Sequence, residues 1–202
     1  MTEGARDLRV LKTKEAIRQA FDELVLEKEA DRITVKELTE RARINRKTFY
    51  LHFDSIEALY DDRLRQIMDE FFEQHEMTPD ISEDLAGHAT RFFKFLASQP
   101  ETTKRLVCHP GSYDFGSRLY YDQMMRYKDE GGDPFGWLDG PKHELVLRFI
   151  RSTALDFYRN WIASDKAVPV DEAADLLATL TCSGANAFIR PPLLGLQTNE
   201  KR

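Results

Sequence analysis

The twenty residues from Thr34 to Phe53, TVKELTERARINRKTFYLHF, constrain this chain more than any other stretch. Thr34 followed by Glu37 is a capping box: the Thr hydroxyl takes an orphan backbone N–H and the Glu reaches back to the cap, so a helix starts here. Val35, Leu38, Thr39 and Ala42 recur at spacings of three and four, giving a short apolar stripe with Lys36, Glu37, Glu40 and Arg41 mostly turned away. Arg43-Ile44-Asn45 interrupts that pattern, and Asn45 is a strong N-cap candidate, so a second helix begins at Arg46. At about 100 degrees per residue, Phe49 and Phe53 share one face, Lys47 and Leu51 point nearly opposite, and Thr48 and Tyr50 flank them. One face anchors and the other is left to be presented. Arg46 and Lys47 put two cations in the first helical turn, where they oppose the helix dipole at a cost of roughly a few tenths of a kcal/mol. An anionic partner outside the fold would account for them.

Helix, tight turn and second helix make a helix-turn-helix, whose second helix enters the DNA major groove with its N-terminal residues at base edges. The segment RINRKTFYLHFDSIEALY, with ITVKELTERA before it, resembles the N-terminal domain of the TetR family of one-component transcriptional regulators. The matching features are an amphipathic first helix, an Ile-Thr-Val cap, a two-turn helix, and a recognition helix ending Thr-Phe-Tyr-x-His-Phe. The resemblance implies an all-α chain: an N-terminal three-helix DNA-binding domain over residues 9–54, then a C-terminal helical ligand-binding and dimerisation domain over residues 55–195. It also implies a homodimer joined through the last two helices, a palindromic operator on double-stranded DNA, and a small-molecule effector. Two positions depart from the family pattern. Arg43 stands where Gly is common in the turn, and Ile56 where Lys is common at the start of the fourth helix.

Net charge is −6, which by itself argues against a polyanionic partner. The distribution reverses that reading: residues 1–53 hold 12 Lys/Arg against 10 Asp/Glu, a balance of +2, whereas residues 54–202 hold 17 against 25, a balance of −8. Local placement sets the field that a phosphate meets. Two cysteines, Cys108 and Cys182, cannot form a disulfide framework, and no His/Cys spacing matches a zinc site. With neither a charged-then-apolar leader nor an apolar run near the roughly 20 residues a membrane span needs, a cytoplasmic protein without a membrane segment is expected.

Along the chain, residues 1–8 read as a polar tail, with Arg6, Arg9, Lys12 and Lys14 clustered at its junction with a first helix over Thr13–Lys28. Ile17, Ala20, Phe21, Leu24 and Val25 give that helix its apolar face. Asp54 or Ser55 caps a long connecting helix that runs to about Gln74. Further helices are expected from Ser82 to about Gln99, over Thr102–Val107, over Phe115–Tyr127, from His143 to Ala163, and from Glu172 to about Phe188. Lys128 to Pro141, with four glycines and two prolines, reads as a long loop around Phe135 and Trp137.

The candidate DNA-contacting residues are Thr34, Arg46, Lys47, Thr48, Tyr50, Leu51 and His52. Arg and Lys pair best with guanine O6 and N7, Leu51 suits a thymine methyl, and the hydroxyls and His52 suit phosphates. For the effector, the resemblance implies a pocket among the middle helices; His88, Phe92, Phe95, Cys108, Arg118, Tyr121, Met124, Met125 and Trp137 are candidates for its lining. No catalytic residue, metal site or cofactor is assigned. Cys108 beside His109 lacks a third orienting group, so an enzyme is not expected. The alternative is a ligand-sensing or interaction module with a degraded head, to which Arg43, Ile56 and the thin positive balance point.

Overall fold

The computed structural model describes residues 3–75, 85–109, 135 and 137–185, with no side-chain detail at 3–7, 151 and 185. Among the described residues there are helices and turns and no strand. In chain order they are α1 (Glu3–Glu27), a single 3-10 turn (Ala30–Arg32), α2 (Val35–Arg41), α3 (Arg46–Tyr50), α4 (Ile56–Gln74), α5 (Leu85–Ser98), α6 (Glu101–Cys108), α7 (Gly140–Ala163) and α8 (Val170–Ala185). The chain divides into two compact units, Met1–Glu76 with Phe95–Gln123, and Met77–Lys94 with Met124–Arg202.

The first unit is built on α1. Ile17, Ala20, Phe21, Leu24 and Val25 are buried along one face of it, and Leu38 of α2, Phe49 of α3 and Leu59 and Tyr60 of α4 are buried in the same unit. Two bidentate ion pairs fix α4 to α1. Arg18 donates to both carboxylate oxygens of Asp62 at 2.8 and 3.1 Å, and Arg63 to both of Asp22 at 2.9 and 2.6 Å. Burial pushes the Asp22 carboxyl up from its ordinary value against the pull of Arg63, so this pair positions the helices more than it stabilises them. The short helix α6 is tied to the end of α1: Arg105 donates to the Val25 and Leu26 carbonyls, a favourable place for a cation, and the Tyr60 hydroxyl donates to the Leu106 carbonyl at 2.7 Å. Beyond α6, buried His109 lies with Nδ1 2.7 Å from Glu29. Farther along α4, Phe71 packs against Phe95 with ring centroids 5.2 Å apart.

In the second unit, α7 and α8 pack together. Phe93 sits among Phe157, Tyr158 and Trp161 at centroid distances of 5.2 to 6.0 Å, and Lys94 pairs with Asp171 at 2.6 Å. Ala173, Ala174, Leu177, Ala178 and Thr181 form the buried side of α8. Leu145 and Phe149, one turn apart on α7, and Leu176 and Leu180, one turn apart on α8, stay exposed.

Several boundaries differ from the sequence reading. Residues 3–8, read as a tail, belong to α1, which starts ten residues before the expected Thr13. A helix can extend past its core-facing stripe wherever propensity allows, and Glu, Ala, Arg and Leu all favour it. The end of the expected 128–141 loop is helical: α7 begins at Gly140, with Asp139 accepting the Lys142 N–H at 3.1 Å and Pro141 in the first turn, where it removes no helical bond. Phe135 is buried there and Trp137 exposed. The expected Phe115–Tyr127 helix and the expected Ser82 start lie outside the described residues. No described helix is long and apolar enough to cross a membrane.

Candidate nucleic-acid interface

The turn between α2 and α3 is made without glycine. Ala42 closes α2, the Ile44 N–H donates to the Thr39 carbonyl at 3.0 Å, and the Arg43 N–H donates to Glu40 at 3.2 Å. These two bonds make a Schellman stop, which requires a left-handed residue at the position after the cap. Arg43 supplies it with φ 54°, a conformation that works against its own Cβ. The turn geometry expected of a helix-turn-helix is thus present despite the missing glycine.

The capping box forms as expected. Thr34 Oγ1 accepts the Glu37 N–H at 3.3 Å and Glu37 Oε2 accepts the Thr34 N–H at 3.1 Å. Lys28, 2.5 Å from Glu37, together with the Thr34 hydroxyl and N–H, holds the Glu37 carboxyl down at about 2. Asn45 caps α3, its side-chain oxygen accepting the Thr48 N–H at 2.8 Å and the Thr48 hydroxyl at 3.2 Å. Five residues are far below the roughly 12 to 15 at which a free helix becomes even marginal, so α3 exists because something holds it. That holder is Phe49, fully buried, with its ring 5.3 Å from Tyr50 and 6.0 Å from Phe53. Phe53 is also buried, one turn past Phe49 and beyond the end of the helix.

With Phe49 inward, Arg46, Lys47, Tyr50 and Leu51 are presented to solvent; Tyr50 is 44% and Leu51 72% exposed. Thr48 and His52 are half-buried, and Thr34 is exposed with its hydroxyl donating to Glu37 at 2.7 Å. Arg46 Nη2 donates to the Tyr50 hydroxyl at 3.1 Å, with the guanidinium 5.6 Å from the ring centre. The neighbouring Arg41 is bound to Glu23 and Glu27 at 3.3 and 2.8 Å, so its charge is spent within the fold. Burial, and then the nearby Lys14, push the His52 imidazole down from its ordinary value. Lys14 also stands 5.8 Å over the Phe53 ring, which adds a cation beside the end of α3. Spacing alone gave no hint of it, because Lys14 and His52 belong to distant segments.

Of the seven sequence-derived DNA candidates, Arg46, Lys47, Thr48 and Tyr50 lie on α3, Leu51 and His52 directly follow it, and Thr34 caps α2, which packs against α3. The effector candidates divide between the units. Phe95, buried, and Cys108, half-buried, fall in the first unit; His88 and Phe92, half-buried, and Trp137, 42% exposed, fall in the second. Arg118, Tyr121, Met124 and Met125 lie outside the described residues. His75 was not among the candidates, yet its ring stacks on Phe71 at 4.7 Å and stands edge-on to Phe95 at 6.3 Å. The one-turn spacing of Phe71 and His75 was the available signal. Among the described residues no group of three or more His, Cys, Asp or Glu side chains could hold a metal ion.

Comparison with known proteins agrees with this geometry. Residues 17–62 match the family model described as bacterial regulatory proteins, tetR family. Over 108 residues, half of this chain and 51% of the relative, the sequence is 31% identical to the uncharacterized HTH-type transcriptional regulator YdeS of Bacillus subtilis. The match thus spans about half the length of that curated relative. A TetR transcriptional regulator from Streptococcus agalactiae superposes with a TM-score of 0.65 at 22% identity, covering 89% of this chain and 99% of that one. NalD of Pseudomonas aeruginosa, the secondary repressor of the MexAB-OprM multidrug efflux pump, superposes at 0.59 with 17% identity, covering 86% and 95%. These two likenesses establish a shared all-α fold with an N-terminal helix-turn-helix. Residues 17–62 thus match the head of the tetR family of bacterial regulatory proteins, and the chain shares the all-α fold of the solved regulators.

Proposed function

We propose that the protein is a DNA-binding transcriptional regulator, acting as a repressor, whose operator affinity is controlled by a small molecule. Residues 9–54 form the reading head and residues 55–195 the effector-binding and dimerisation part. The observation that carries the reading is the two-sidedness of α3: Phe49 is fully buried while Arg46, Lys47, Tyr50 and Leu51 stand in solvent. Arg46 and Lys47 suit guanine edges or phosphates, Leu51 a thymine methyl, and Thr34, Thr48, Tyr50 and His52 the sugar-phosphate backbone. A homodimer through α7 and α8 would cover Leu145, Phe149, Leu176 and Leu180, and would set two copies of α3 about 34 to 36 Å apart on a palindrome. An effector acts only through a difference in affinity between two head spacings. The residues offered for its site remain those read from the sequence, His88, Phe92, Phe95, Cys108, Arg118, Tyr121, Met124, Met125 and Trp137.

The second reading, a sensor with a degraded head, loses one of its three supports where Arg43 reaches the left-handed turn geometry. Selection of duplexes from a random library by the wild-type protein, followed by mobility shift with Lys47→Ala and Tyr50→Ala, separates the two. Enrichment of a two-fold symmetric duplex, with weaker binding by both variants, is the expected result. Equal binding by all three proteins would dismiss the assigned face.

A further inference from the structure

We propose that Tyr50 is a positioning residue for Arg46, so that the two side chains act on DNA as one unit while Lys47 acts alone. This rests on the DNA-reading function proposed above. Arg46 opens α3 and Tyr50 closes it, one helical turn apart and on neighbouring parts of the same face. The Arg46 guanidinium donates to the Tyr50 hydroxyl oxygen at 3.1 Å and lies 5.6 Å from the centre of the tyrosine ring. Folding back in this way carries the charge away from the positive end of the helix dipole, toward the end that welcomes a cation. A long side chain that would otherwise sample many rotamers in water is directed along the presented face before DNA arrives.

The Tyr50 hydroxyl accepts from Arg46 and keeps its own proton, which remains available to a phosphate oxygen. Donation to a phosphate and acceptance from a guanidinium strengthen each other in such a chain. The ring itself is fixed from beneath by the edge-to-face contact with buried Phe49 at 5.3 Å. The phosphate contact, the tyrosine and the arginine thereby share one register, and sequence discrimination by Arg46 depends on a hydroxyl that reads no base. Lys47, exposed and projecting elsewhere from the helix, contributes to affinity for all duplexes alike.

The test uses the full-length protein and the duplex it selects from a random library, with every single-base variant of one half-site. Wild type, Arg46→Ala, Tyr50→Phe, the double variant and Lys47→Ala are compared by fluorescence anisotropy, with circular dichroism confirming equal helix content. Tyr50→Phe retains the ring contact with Phe49, so the head keeps its support. Arg46→Ala and Tyr50→Phe are each expected to reduce discrimination at the same base position by about five- to a hundredfold. The double variant is expected within about twofold of Arg46→Ala, as coupled residues require. Lys47→Ala is expected to weaken all duplexes alike. If the two losses multiply in the double variant, or Tyr50→Phe weakens every duplex equally, Tyr50 is an independent phosphate contact and the proposal fails with the DNA reading intact. If wild type selects no duplex, both fall.

Discussion

Replacement of Phe49 by alanine probes the construction of the head most severely. Phe49 is the buried residue of a five-residue helix, and the Asn45 cap cannot hold so short a helix alone. An aromatic side chain removes roughly 150 to 250 Å² from water, and at about 25 cal/mol per Å² complete burial is worth about 4 to 6 kcal/mol. Alanine keeps a fraction of that, and the cavity left beside Phe53 adds to the loss. Phe→Ala changes in cores accordingly cost about 3 to 5 kcal/mol. A domain of ordinary stability has about 5 to 15 kcal/mol in hand, so the first unit would lose a large share of its total. Urea denaturation at 25 °C, with hydrogen exchange on α2 and α3 amides, measures the effect. Leu51→Ala, at a residue 72% exposed, is the control and should stay within about 0.5 kcal/mol of wild type. If Phe49→Ala costs less than about 1 kcal/mol, or no more than Leu51→Ala, then α3 is held by something other than this ring.

Arg43→Gly relieves the left-handed strain at φ 54° and should raise stability by about 0.5 to 1 kcal/mol by chemical denaturation, net of glycine's extra freedom in the unfolded chain. Asn45→Ala removes the acceptor of the Thr48 N–H and should lower stability by about 1 kcal/mol in the same assay, with α3 amides exchanging faster. His52 carries a pH signature. Its folded pKa lies below the ordinary 6.5, so the neutral ring is favoured in the fold and its stability contribution, full above 6.5, is lost as pH falls through 6.5 toward the depressed value. A phosphate beside His52 would favour the charged ring, so DNA affinity should rise roughly three- to tenfold as pH falls from about 7.5 to 6, and His52→Gln should flatten the profile.

Local chemistry made much of the head readable in the sequence. Thr34 with Glu37, Asn45 before Arg46, and Ser55 before the connecting helix each satisfy specific backbone groups, and each caps the expected helix. Positions decided by competition were harder. Pro141 after Asp139 and Gly140 carries both a loop signal and a helix-start signal; the cap decides in favour of helix, and Gly140 and Pro141 belong to α7. The early start of α1 is invisible to periodicity, which detects a core-facing stripe, because residues 8–12 are all exposed. Arg43 could be flagged as lacking glycine, but the Ile44 and Arg43 bonds that force it left-handed are seen only in coordinates. The spacing of Arg46 and Tyr50 was readable and their contact was not, since either side chain could have pointed elsewhere. The effector candidates rest on composition within the middle helices. Composition cannot say which aromatics pack on each other, so it points to Phe95 and not to its neighbour His75.

The central claim is that the outward face of α3 meets phosphates, and the salt dependence of DNA binding tests it most directly. For B-DNA, log K falls with log salt at a slope of about 0.9 per phosphate neutralised. Wild-type protein on its selected duplex should show a steep slope, and Lys47→Ala should reduce it by about one such increment per head while weakening specific and nonspecific duplexes alike. Parallel plots for the two proteins, with the full wild-type slope kept by Lys47→Ala, would contradict the account.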